Sequence, residues 1–85
     1  MEYVVVAFRS RSETVAFSNF LRQNGITNQI VNTPKEAGVG CGISVKISKS
    51  YFSPVKNAVR ASKLKSFAGF FLVTRSGKNT VVRSI

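Results

Sequence analysis

Six residues near the start of the chain, Tyr3 to Phe8 (YVVVAF), are apolar without interruption and rich in β-branched side chains. A strand with one wet face alternates apolar and polar residues; one that does not alternate is covered on both faces. In a chain of 85 residues, which supports a single modest core, such a strand belongs in the middle of a sheet.

The following segments read in that light. Ser10-Arg11-Ser12-Glu13 fits a capping box, the Ser10 hydroxyl and the Glu13 carboxylate each satisfying an amide at a helix start. The helix runs to about Asn24, and Gly25 suits the left-handed position that ends it. Phe17, Phe20 and Leu21 share one side at helical spacing and are expected to pack on the sheet, with Val15 on the opposite side. Ile26 to Val31 reads as a short second strand. Ile43 to Ser48 alternates, sending Ile43, Val45 and Ile47 to one face. Ser53-Pro54 reads as an N-cap followed by a helix-opening proline, and Val55, Ala58, Val59 and Ser62 form that helix's inner side. Phe67 to Thr74 is a strongly apolar strand. After the Ser76-Gly77-Lys78 turn, Thr80 to Ile85 returns as an additional fifth strand. The order β-α-β-β-α-β predicts an α+β, ferredoxin-like two-layer sandwich in one domain, residues 1–85. Two helices cover one face; the other is expected to leave an apolar patch suited to a partner or a second copy of the chain.

Composition narrows the chemistry. The chain has no histidine, so the commonest general base and metal ligand is missing. Its only acids are Glu2, Glu13 and Glu36, which disfavours a paired-carboxylate site. One cysteine makes neither an internal disulfide nor a zinc site. These readings imply no metal, no cofactor and no enzyme active site of a common kind. No apolar run reaches the ~18 residues of a membrane span, and no export signal is legible, so a reducing cytoplasm is the expected compartment. Thirteen Lys and Arg give a formal charge of +10, which favours negatively charged partners. Lys56, Arg60 and Lys63, spaced i, i+4 and i+7, read as an outward basic stripe able to follow nucleic-acid phosphates. The RNP1 aromatic pattern by which a sheet stacks RNA bases is missing, and Phe70 and Phe71 suit a core.

Between the second and third strands lies Asn32 to Lys46, NTPKEAGVGCGISVK, with the only cysteine and three of the six glycines. Gly38, Gly40 and Gly42 are read as freeing the backbone for positive φ and leaving Cys41 little shielded. Lys35 brings a cation nearby in sequence, and the Gly40 and Gly42 amides flank the sulfur. A thiol beside a cation and free amides is the setting that favours a usable thiolate; the opposing reading is a small buried hydrophobe.

Gly25-Ile26, Thr33-Pro34-Lys35 and Cys41-Gly42, in that order after a strand and a helix, resemble the selenium/sulfur (Se/S) carrier protein-like family over about residues 3–75. Residues 76–85 are then a C-terminal extension. Lys35 stands where that family usually has arginine, keeping the charge without the bidentate fork, and Gly40 stands where serine is usual. The resemblance implies a carrier whose Cys41 holds sulfur as a persulfide, supported by Thr33, Pro34, Lys35, Gly40 and Gly42. It also implies a protein donor such as a cysteine desulfurase, and a separate acceptor. A basic nucleic-acid module and a self-associating domain with an inert Cys41 are the alternatives.

Overall fold

The computed structural model describes residues 1–85. Its strands are β1 (Glu2–Phe8), β2 (Gln29–Asn32), β3 (Ile43–Ile47), β4 (Phe67–Ser76) and β5 (Asn79–Ser84); its helices are α1 (Arg11–Gln23) and α2 (Phe52–Ala61). The sheet order is β2-β3-β1-β4-β5 with every pairing antiparallel, a ferredoxin-like α+β sheet carrying one extra strand at the β4 edge. The strand expected at the centre is there: β1 lies between β3 and β4, with Val4 opposite both Ile47 and Leu72. Tyr3 to Phe8 are all buried. Val4, Val6 and Phe8 join Phe17, Leu21, Val45, Ile47, Val55, Phe70 and Leu72 in one core beneath the helices. Tyr3 and Val5 point to the other face, where they pack with Val73 and, at the margin, Val82.

Local signals explain how α1 is fixed. Ser10 has extended backbone and its Oγ accepts from the Glu13 amide at 3.2 Å, half of the expected capping box. The other half is rerouted. The Glu13 carboxylate accepts from the Ser66 amide at 2.8 Å, the Lys65 amide at 3.3 Å and the Ser66 hydroxyl, while the Ser10 amide donates to Ser66 Oγ at 3.2 Å. Ser66 thereby joins the start of α1 to the approach of β4. At the other end, Gly25 takes φ +75°; its amide donates to Arg22 O and the Ile26 amide to Leu21 O, a Schellman closure. Thr14, Phe17, Ser18 and Leu21 form the buried side. Phe20, expected on that side, is 41% exposed and stacks on the Phe17 ring 6.3 Å away, because the buried stripe is centred between Phe17 and Ser18 and leaves Phe20 on its flank. Val15 is exposed, away from the sheet.

The second helix begins earlier than the Ser53-Pro54 signal indicates. A 3₁₀ turn, Lys49–Tyr51, capped by Ser48, runs straight into α2 at Phe52. The Phe52 amide donates to Lys49 O, so the helix is already under way one residue ahead of Ser53. Pro54 is the third helical residue, still in the first turn, where a missing N–H leaves no intrahelical bond unmade. Val55 is buried, while Ala58 and Val59 lean on the core. Strand β2 is shorter than Ile26 to Val31 and starts only at Gln29. Before it, Asn28 is buried against α1, where its Nδ2 donates to Ser18 O and Ile26 O and its Oδ1 accepts from Ser18 Oγ. In β4 the register slips between Ala7 and Phe8, next to Gly69 at φ +149°, and β4 reaches Ser76 before turning at Gly77 into β5.

Candidate functional site

The second face of the sheet has no helix, yet Val5 and Val73 are fully buried there and Tyr3 is 8% exposed. The expected apolar patch is therefore absent, and with it the argument for a second copy seated on it. The cover on this face is the β2–β3 connection, Thr33 to Gly42, whose Thr33, Pro34 and Glu36 line the same space as Tyr3 and Val73. The connection is closed at its base by the Thr33 amide donating to Gly42 O at 3.0 Å, and by a 2.6 Å hydrogen bond between the Thr33 and Ser44 hydroxyls. Ser44 is fully buried, so this bond satisfies a hydroxyl that would otherwise be costly to enclose. From that base the chain passes Pro34 into a 3₁₀ turn, Lys35–Ala37, which approaches β5 although β2 and β5 are the opposite edges of the sheet. The connection is a strap over the sheet, not a bend at its rim.

Within the strap, Pro34 O accepts from the Ala37 amide and Lys35 O from the Gly38 amide. Gly38 has φ +68°, a left-handed conformation that ends the turn and suits glycine. Gly40 and Gly42 do not share that conformation, correcting the expectation for all three glycines. Apart from the adjoining residues, nothing lies within 4 Å of where a Cβ would stand at Gly40 or Gly42. The fold therefore tolerates a side chain at both positions, and their lack of one leaves the flanks of Cys41 bare. Cys41 is half-buried, is the chain's free thiol, and its Sγ makes no hydrogen bond. Lys35 is exposed at the start of the 3₁₀ turn and makes no ion pair; the only salt bridge in the molecule joins Lys49 to Glu2 at 2.7 Å. Thr33 and Pro34, both half-buried, hold the base of the strap. The structure thus brings Thr33, Pro34, Lys35, Gly40, Cys41 and Gly42 into one closed loop.

The basic stripe is less regular than its spacing implies. Lys56 and Arg60 are exposed on α2, with Lys56 Nζ 5.8 Å from the centre of the Phe52 ring. The helix ends at Ala61, and Ser62 is extended, so Lys63 leaves the helical register and the i+7 relation is lost. Phe70 and Phe71 are buried at 8% and 9% exposure and offer no platform for bases. Two carboxylates are held below their ordinary range. Glu2 is lowered first by its hydrogen bond with Lys49 and then by that with Thr74; Glu13 is lowered mainly by the hydrogen bonds from Ser66.

What sequence reasoning missed lies beneath the strap. Tyr3, Lys46 and Arg75 converge there in a cleft of about 600 Å³ that Thr33, Pro34 and Glu36 close from the strap side. Of the three, only Lys46 was legible as a residue of its strand's polar face; Arg75 lies past the expected end of β4 at Thr74, and nothing local shows that a loop folds over them. No helix is long and apolar enough to cross a membrane.

No match was found among curated proteins or among solved structures. A family model described as "Putative Se/S carrier protein-like" matches residues 3–67, which spans β1 through the first residue of β4 and includes the whole strap with Cys41. By that match over most of its length, the chain belongs to the Se/S carrier protein-like family.

Proposed function

We propose that the protein is a sulfur or selenium carrier, not an enzyme in its own right, and that Cys41 is the carrying group. The observation that supports this most directly is the placement of the single cysteine. In a family of this description, Cys41 sits in the strap between two glycines that neither backbone conformation nor packing requires. A carrier thiol must meet a second protein's sulfur head-on, and bare flanks lower the steric cost of that approach.

The transfer is an exchange without net oxidation. The Cys41 thiolate attacks the outer sulfur of a donor protein's cysteine persulfide. A new S–S bond forms at Cys41, the donor's S–S bond breaks, and the donor cysteine leaves as its thiolate. Delivery repeats the exchange with an acceptor nucleophile, which regenerates the Cys41 thiolate. The cation assigned to offset the charge of the two anionic sulfurs is Lys35, exposed on the same strap. A cysteine desulfurase has the required chemistry as donor, because its reaction leaves a persulfide on its own cysteine. The expected setting is the reducing cytoplasm, where a free thiol persists.

The test is incubation with a cysteine desulfurase and free cysteine, followed by intact mass measurement. The protein is expected to gain one sulfur atom, sensitive to reductant and absent from Cys41→Ser. An unchanged mass, or the same gain in Cys41→Ser, overturns the reading.

A further inference from the structure

We infer that the cleft under the strap is a binding site for a small phosphomonoester of nucleotide size. Tyr3 lines this cleft. Its ring is buried on the floor of the cleft, with Lys46 Nζ 4.4 Å and Arg75 Cζ 5.9 Å from its centre. Lys46 comes from β3, where it pairs with Val5, and Arg75 from β4, where its amide bonds Met1 O, so the two cations reach the Tyr3 ring diagonally from strands on either side of β1. The ring attracts and orients both charges. Neither has a carboxylate partner, since the only salt bridge is the Lys49–Glu2 pair.

Both cations line the same cleft; two unpaired cations there match a dianion better than a single carboxylate, and a guanidinium fork fits phosphate oxygens in a bidentate way. The cleft is larger than a bare ion requires. Its volume of about 600 Å³ falls in the range of small-molecule sites. Val31, Pro34 and Val73 offer apolar wall, and Asn32 and Thr80 offer hydrogen-bonding groups for a hydroxylated body. The buried Tyr3 ring is faced by cations and does not serve as a stacking platform. Glu36, the single acid of the lining, sets an upper limit on ligand charge. Cys41 is not part of the cleft, so this site stands apart from the carrier reading and neither depends on the other.

Adenosine monophosphate is the probe, followed by titration calorimetry at low and moderate salt, with adenosine and inorganic phosphate as separate arms. The monophosphate is expected to bind more tightly than either fragment. Lys46→Gln and Arg75→Gln should each weaken it by about tenfold or more, the scale of a lost hydrogen bond to a charged group. Glu36→Gln should tighten it, by removing a repelling carboxylate. Thermal melts of each variant separate a binding defect from unfolding. Lys56→Gln with Arg60→Gln on the far layer should change little at moderate salt. Absence of binding at millimolar ligand overturns the inference, as does a loss on the helix variant equal to that on the cleft variants, which marks diffuse attraction to a +10 chain.

Discussion

The two faces of the sheet bury the same central strand by different means. On the helical face, ten residues from five elements, Val4, Val6 and Phe8 of β1 among them, interlock in one core. On the strap face only Tyr3, Val5 and Val73 form a buried cluster, roofed by a ten-residue connection whose base is pinned by a hydroxyl pair. The first arrangement resists change, because every side chain touches many others and removing one leaves a cavity. The second has polar walls, unpaired cations and a cysteine in its cover. Chemistry can vary on that face with little consequence for the fold, as is general for loops set on a rigid scaffold.

The largest test of that contrast is a truncation on each face. Phe8→Ala, at a fully buried position where Phe8 packs on Phe17 and Phe67, is expected to cost about 3–5 kcal/mol. Val39→Ala, half-buried in the strap, should cost about 1 kcal/mol or less. Urea unfolding at unchanged slope measures both. Equal losses would make the strap a second core, and the contrast between the faces would fail.

A second test concerns the joint between α1 and β4, which holds the helical layer in place. Glu13 is lowered from the ordinary carboxylate value of 4.5, first by Ser66. A carboxylate depressed in the folded state stabilises it fully above the unfolded value, and that stabilisation is lost as pH falls through the folded value. Glu13→Gln should therefore lower the unfolding midpoint at neutral pH, with the gap to the parent closing as the solution becomes acidic. Glu2→Gln should show the same sign with a smaller, salt-sensitive change, because its partner Lys49 is exposed at the surface. A Glu13 gap that stays constant with pH would show that the Ser66 contacts act through shape alone.

What could be read in advance follows the same division. The centrality of β1, the Ser10 cap, the Gly25 closure and the alternation of β3 were legible because each is written in neighbouring residues. The start of α2 was displaced because a 3₁₀ turn, with no strong signal of its own, runs directly into the helix ahead of Ser53. Glu13 found its partner 53 residues away at Ser66, and Asn28 found Ser18 across the α1–β2 turn; spacing says nothing about either. The strap is the extreme case. Thr33 to Gly42 has no period, so its residues were recognisable as a group around Cys41 while their course over Tyr3 was not. Nothing local in the sequence brings Lys46 and Arg75, 29 residues apart, to the same ring.

The smallest expected effects lie in the strap's glycines, and they separate structure from chemistry most cleanly. Gly38→Ala forces a Cβ into φ +68° and should cost about 1 kcal/mol. Gly40→Ala and Gly42→Ala meet no atom within 4 Å apart from the adjoining residues and need no positive φ, so both should leave the unfolding midpoint within about 0.5 kcal/mol of the parent. If their role is to keep the sulfur approachable, the same two substitutions should slow the loading of Cys41 by a desulfurase, while small alkylating reagents still reach it at near-parent rates. Rate constants for the two reactions, measured on each variant, give the answer. Equal slowing of both would mean that the methyl group has reshaped the strap itself. No slowing of either would remove the steric reason for glycines beside this cysteine, and the case for Cys41 would then rest on sulfur transfer alone.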